Sequence, residues 1–344
     1  MTLKMSFYSS QAYDQQSFER ALVQRQPRLP VTPIFHQATL AADTVALVQG
    51  SALVCAFVND RLDAPVLNAL AKNGVKAVML RCAGYDQVDL ACANQLKMPV
   101  ARVPVYSPQA ISEHAIALLM TLNRRIHLAY NRVRSGNFLL NGLQGTNISG
   151  KTVGIIGLGH IGLAVAKIFK GFGAHLIGTD VFANAQFNQY GQQVDLDTVL
   201  AKADIISLHC PLNEQTHHLI NAQSLSRTKK GLILINTSRG GLIDATAVID
   251  ALKSDHLGGL AIDVYENEKC LFFSDHSLIS IKDDQFIRLV NFPNVLITGH
   301  QAFLTDTALD NIAQTTLDNV ADYLEGNFTS THWCQPCLAA ASAA

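Results

Sequence analysis

The chain has 344 residues, of which 49% are hydrophobic and 15% charged, and its formal net charge is −1. That length suggests about two domains at roughly 100–200 residues each, and the composition excludes a disordered or coiled-coil chain. A near-neutral balance offers no basic field to nucleic acid or an anionic membrane, and no run of about 18 apolar residues marks a membrane span.

The first ten residues contain no apolar h-region, so a secretory leader is not expected. Residues 5–8, 53–58, 75–80 and 100–103 read as strands, and 64–72 and 88–96 as helices. Short apolar strands separated by amphipathic helices imply a small parallel α/β domain, roughly flavodoxin-like. Pro104 and Pro108 interrupt the pattern. Residues 110–134 then read as one long helical segment, too apolar for a solvated helix. It is expected to cross between domains or to lie in a subunit contact.

Six strand-like segments follow, and each ends on residues with chemical potential. Residues 153–156 run into Gly157-Leu158-Gly159-His160-Ile161-Gly162, and 176–179 into Asp180. Residues 205–208 run into Cys210-Pro211, and 232–235 into Thr237-Ser238-Arg239-Gly240. Residues 260–262 lead to Asp263, and 295–297 to Gly299-His300. In an open doubly wound parallel sheet, ligands bind beyond the carboxyl ends of the strands. The expected fold is therefore α/β in two domains. A Rossmann-type doubly wound sheet over 105–299 is inserted into a flavodoxin-like domain of 1–104 and 300–344. Residues 305–324 read as a helix expected to pack back against the amino-terminal domain. The connection 264–295 is long and polar but holds Leu271-Phe272-Phe273. Connections of that length are commonly lids or linings.

Seven cysteines without regular spacing fit reduced thiols in a cytoplasmic protein better than a disulfide framework. Cys334 and Cys337 form a lone C-x-x-C, and His217-His218 belongs to no helical H-E-x-x-H arrangement. No metal site is expected from these patterns.

The glycine-rich segment gains weight from its place between a strand and a helix. Gly157 and Gly159 permit a tight turn and close backbone approach to a pyrophosphate, while Gly162 lets the helix pack near the strand. Asp180, 18 residues beyond Gly162, is placed to accept from the ribose hydroxyls of NAD and to repel the 2′-phosphate of NADP. Arg239 offers a bidentate fork to a substrate carboxylate and can polarise the adjacent carbonyl. His300 is the candidate proton donor, since imidazole titrates near neutral pH. Asp263, Glu266 and Glu268 are the carboxylates that could orient it, and spacing alone does not choose among them.

Taken together, these segments resemble the D-isomer-specific 2-hydroxyacid dehydrogenases, and most closely the fermentative NAD-dependent D-lactate dehydrogenases of bacteria. The most specific stretches are 80–84, 102–108, 209–212, 236–240, 263–268 and 299–303. The resemblance implies Arg239 as the carboxylate-binding residue, His300 as the acid/base and Glu268 as its partner. It assigns Gly157, Gly159, His160, Ile161, Gly162, Asp180, Cys210, Pro211, Thr216, Thr237, Ser238 and Asp263 to the cofactor. Ala83 and Gly84 would offer backbone N–H groups to the substrate, and Tyr106 and Phe303 would close a small pocket. The implied reaction is reversible reduction of pyruvate to D-lactate by NADH, with a bulkier 2-oxo acid as the alternative substrate. The implied assembly is a homodimer or homotetramer in the cytoplasm, with substrate held between the domains. A glycine-rich turn that begins only at Gly157 favours this D-specific organisation over that of L-lactate and malate dehydrogenases.

Overall fold

The computed structural model describes residues 2–334. Cys337 and the alanine-rich end lie outside the described residues. The chain divides into two compact units, Met1–Ser107 with Leu304–Ala344, and Pro108–Phe303. Residues 105–107 thus fall with the first unit, and His300 to Phe303 with the second.

The first unit is built on β1 (Leu3–Phe7), α1 (Ala12–Gln24), β2 (Val31–Phe35), β3 (Leu53–Ala56), α2 (Ala64–Lys72), β4 (Ala77–Leu80), α3 (Leu90–Gln95) and β5 (Val100–Ala101). The strands form a five-stranded sheet in the order β2-β1-β3-β4-β5, with every pairing parallel. This is the flavodoxin-like order. β2 carries Pro33, which a sheet tolerates at its edge because proline has no N–H to donate. Asp63 starts α2 by accepting from Val66 N.

Leu80-Arg81-Cys82-Ala83-Gly84 owes part of its character to structure. The Arg81 side chain is fully buried and donates to Asp14, to Tyr8 O and to Ser9 O at 2.8–3.1 Å. A buried guanidinium is tolerated only when its donors are matched in this way.

The second unit holds a seven-stranded sheet. It runs through α4 (Pro108–Asn123), α5 (Ile126–Arg134), β6 (Thr152–Ile156), α6 (His160–Gly171), β7 (His175–Thr179), β8 (Gln192–Gln193), α7 (Leu196–Lys202) and β9 (Ile205–Leu208). It continues with α8 (Ala222–Ser226), β10 (Leu232–Asn236), α9 (Ala245–Lys253), β11 (Leu257–Ile262), α10 (Asp284–Val290) and β12 (Val295–Ile297). The order is β8-β7-β6-β9-β10-β11-β12, all parallel. That is the doubly wound dinucleotide-binding order with one further strand, and its direction reverses between β6 and β9. One apolar cluster lies on each face of the sheet, one around Val165, Phe169 and Leu119 and the other around Val199, Leu234 and Val248.

One expectation needs correction. Residues 110–134 are not one helix: α4 ends at Asn123, Arg125 turns left-handed at φ 52°, and α5 starts at Ile126. α4 packs on α6 and on β10, β11 and β12 of its own unit. Its apolar character is that of a helix covering a sheet. Within the 264–295 connection, Leu271 and Phe272 are buried in the core, whereas Leu278 and Ile279 are exposed.

The chain returns to the first unit with α11 (Asp306–Glu325), which packs on α1 and β4. Thr305 caps its start by accepting from Ala308 N, and Gly326, at φ 70°, ends it. Arg20 pairs with Asp310 and Arg25 with Asp318 across α1 and α11.

Candidate functional site

The turn after β6 requires glycine for steric reasons. Gly157 has φ 96°, and a Cβ there would stand 2.4 Å from Cys210 N. A Cβ on Gly162 would stand 2.0 Å from Gly157 O. Gly159 differs, with nothing within 4 Å of its Cβ position. The first and last glycines therefore serve packing, while the middle one leaves open space at the amino end of α6. Backbone N–H groups and the helix dipole there suit a pyrophosphate.

Asp180 directly follows β7 and accepts from Leu158 N at 2.6 Å and from Phe182 N at 3.1 Å. The carboxylate thus ties the second strand to the glycine turn, and ionised carboxylates retain further acceptor positions. His160 is exposed and Ile161 partly so. Across the sheet's reversal point, Cys210 is buried, and Cys210 O accepts from Ser238 Oγ at 2.7 Å. Burial pushes the Cys210 thiol up to about 11, so it is no nucleophile at neutral pH. Pro211 O accepts from Thr216 Oγ1 at 2.7 Å. Thr237 Oγ1 is buried with no hydrogen-bond partner among the described residues. A buried hydroxyl rarely stays unpaired, so it fits contact with a polar ligand.

The chemical groups come from β10, β11 and β12, three neighbouring parallel strands. Arg239 lies just after β10, and its turn is shaped by fully buried Asn236, which accepts from Ser238 N at 3.0 Å and donates to Arg239 O at 2.8 Å. His300 lies just after β12 with a left-handed backbone at φ 53°. Its N–H donates to Asp263 O at 2.8 Å, and its Nδ1 sits 2.7 Å from Glu268 Oε1. Glu268 Oε2 accepts from Tyr265 N at 2.9 Å. Both side chains are about one-sixth exposed, at 16% and 17%. Glu268 is thereby held to His300 Nδ1, which leaves Nε2 for another partner.

Asp263 is fully buried after β11. It accepts from Thr298 Oγ1 at 2.5 Å, Gln301 N at 2.9 Å and Ala302 N at 2.8 Å, and His114 Nε2 lies 3.3 Å away. Burial acts to raise its pKa, but bonds from His114, Thr298, Gln301 and Ala302 outweigh it and hold the carboxyl below its usual value. The carboxylate oxygens face the segment carrying His300. His114 and Thr298 escaped the reading of the sequence. No local pattern marks them, since their roles depend on contacts made by the fold.

Phe303 is buried in the same unit. Ala83, Gly84 and Tyr106 belong to the first unit, where Ala83 O accepts from Arg102 Nη1 at 2.9 Å and Tyr106 O from Asn311 Nδ2 at 2.6 Å. Glu266 does not point to His300; its Oε1 lies 2.9 Å from His218 Nε2.

A family model described as "D-isomer specific 2-hydroxyacid dehydrogenase, NAD binding domain" matches residues 116–302. The chain is 51% identical over 323 residues to 2-hydroxyacid dehydrogenase A of Aspergillus oryzae, covering 94% of this chain and 92% of that one. It is 49% identical over 325 residues to D-lactate dehydrogenase kk1H of Curvularia clavata, covering 94% and 93%. Among solved structures, apo D-lactate dehydrogenase from Escherichia coli matches with a TM-score of 0.87 at 43% identity, covering 97% of this chain and 100% of that one. The cofactor is NAD, and the open Gly159 and unpaired Thr237 hydroxyl fit it.

Proposed function

The chain belongs to the D-isomer-specific 2-hydroxyacid dehydrogenase family, and from that premise we propose that it interconverts pyruvate and D-lactate. The observation that carries the acid/base assignment is the 2.7 Å contact between His300 Nδ1 and Glu268 Oε1. NADH, when bound, supplies the hydride. Gly157, Gly159, His160, Ile161 and Gly162 hold its pyrophosphate end, and Asp180 its ribose. Cys210, Pro211, Thr216, Thr237, Ser238 and Asp263 line the remainder. Arg239 binds the substrate carboxylate through its fork and draws electron density from the ketone oxygen. His300 donates the proton from Nε2 to that oxygen as it gains charge. Glu268 on Nδ1 fixes the orientation of the ring and directs Nε2 to the substrate. In lactate oxidation the same nitrogen takes the proton back. Ala83, Gly84, Tyr106 and Phe303 complete the proposed substrate contacts.

We also assign the enzyme to the cytoplasm as a homodimer or homotetramer. Scattered cysteines support the compartment. The assembly is supported by exposed Ile126, Tyr130 and Val133 on α5 and by Phe138, Leu139 and Leu140, each more than half exposed; contiguous exposed apolar side chains mark interaction surfaces. No helix of the described residues is long and apolar enough to cross a membrane. NADH oxidation with pyruvate, compared with 2-oxoisocaproate, tests the substrate. A higher kcat/KM on the bulkier acid would replace pyruvate in the proposal.

A further inference from the structure

Glu266 sits two residues before Glu268, yet it faces the other way. Its Oε1 lies 2.9 Å from His218 Nε2 and 3.4 Å from His217 Nε2. The histidines come from the loop after β9 and the glutamate from the loop after β11. The two imidazoles stack, with centroids 3.9 Å apart and planes 24° apart. One ligand-type atom from each of the three residues lies within 4.8 Å of the others. His218 holds a left-handed backbone at φ 50°, a region costly for a residue with a side chain. It is kept there by His218 N donating to Gly241 O and by Asn221 Nδ2 donating to His218 O, both at 2.8 Å.

We propose that His217, His218 and Glu266 form a binding site for a divalent transition-metal ion of the Zn²⁺ type, apart from the residues assigned to substrate and NAD. Zinc binds nitrogen at about 2.0–2.1 Å and carboxylate oxygen at about 2.0–2.2 Å, so tetrahedral ligand atoms stand roughly 3.3–3.5 Å apart. The His217–Glu266 separation of 3.4 Å already matches. The His218–Glu266 contact must open by about half an ångström, within reach of a rotamer adjustment. Two imidazole nitrogens and one carboxylate suit Zn²⁺, Co²⁺, Ni²⁺ or Cu²⁺ rather than Mg²⁺ or Ca²⁺, which prefer all-oxygen sets. Side-chain exposures of 53%, 34% and 33% leave the fourth position to water. A surface hydrogen bond to Glu266 needs one histidine; here a second ring brings its nitrogen to the same oxygen. The pair His217-His218 fits no short metal motif because Glu266 lies 48 residues beyond His218, on a different loop. A bound ion would cross-link those loops next to Glu268.

The test is Zn²⁺ titration of the metal-stripped full chain against a chromophoric chelator, with Co²⁺ absorption as a second readout. We expect one Zn²⁺ per chain, and Co²⁺ bands lacking thiolate charge transfer. Binding weakens by at least about tenfold in His217→Ala and in Glu266→Gln, since even outer-shell changes cost roughly 10–100-fold. It is unchanged in a Cys334→Ser/Cys337→Ser variant. His217 is more than half exposed, so its removal leaves the fold intact, which the metal-free melting temperature checks. No stoichiometric binding, affinity unchanged from the unsubstituted chain in the His217 and Glu266 variants, or loss in the cysteine variant overturns the site.

Discussion

His300 Nδ1 stands 2.7 Å from Glu268 Oε1, while Glu266, two residues earlier, is turned to His218 at 2.9 Å. Two carboxylates of one loop are thus divided between His300 and the His217-His218 pair. Glu268→Gln removes the carboxylate that holds His300 Nδ1, so kcat for pyruvate reduction should fall by about 10²-fold or more, the scale of a positioned general acid, with KM little changed. In metal-free buffer Glu266→Gln leaves kcat in place. A loss of kcat in the Glu266 variant alone would reassign the partner of His300.

Arg239→Lys is expected to lower kcat/KM for pyruvate by about 10²–10³-fold, comparable with loss of one preorganised oxyanion donor. An ammonium is a point charge and cannot reproduce the fork. Steady-state kinetics at saturating NADH measures this, and near-normal kcat/KM removes Arg239 from the site.

Asp180→Asn keeps an acceptor for Leu158 N, now 2.6 Å from the carboxylate, but removes the negative charge. Charges near a protein surface interact by about 1–4 kcal/mol at contact distances. The kcat/KM ratio of NADPH to NADH should therefore rise by roughly tenfold or more. An unchanged ratio means Asp180 does not face the ribose.

Asp263 yields a stability prediction with a defined sign. Its folded pKa lies below the ordinary value of 3.8. Its stabilising contribution is therefore present above that ordinary value and is lost as pH falls through the folded one. Asp263→Asn should cost about 1–3 kcal/mol at pH 7, the scale of disrupted hydrogen bonds to a charged group. The gap in melting temperature from the unsubstituted chain should narrow below about pH 4. A gap that stays constant with pH denies the carboxylate its charged role.

Much of the fold was legible because its strands are apolar and end on glycine or polar turns. The expected α2 coincides with the observed Ala64–Lys72, and the six expected strands of the second unit all form. What escaped has physical causes. α1 is largely polar, with only Asp14, Ser17, Phe18 and Ala21 buried. β2 contains Pro33, and β8 is two residues long. The break at Arg125 depends on one left-handed residue that no glycine or proline announces. At the site, Arg239, Glu268 and His300 could be singled out because they sit at strand ends or in a specific motif. His114 and Thr298 could not, because an ordinary helix or strand-end residue gains its role only from its neighbours in space. The pair His217-His218 belongs to no local metal motif, and only the fold brings Glu266 to it.

The most direct test of the central proposal is the stereochemistry of the product. The purified chain is incubated with NADH and pyruvate, NADH loss is followed by absorbance, and the lactate is resolved on a chiral column. We expect NADH consumption with D-lactate as the product. L-lactate as the main product, or no NADH consumption with pyruvate, contradicts the assignment.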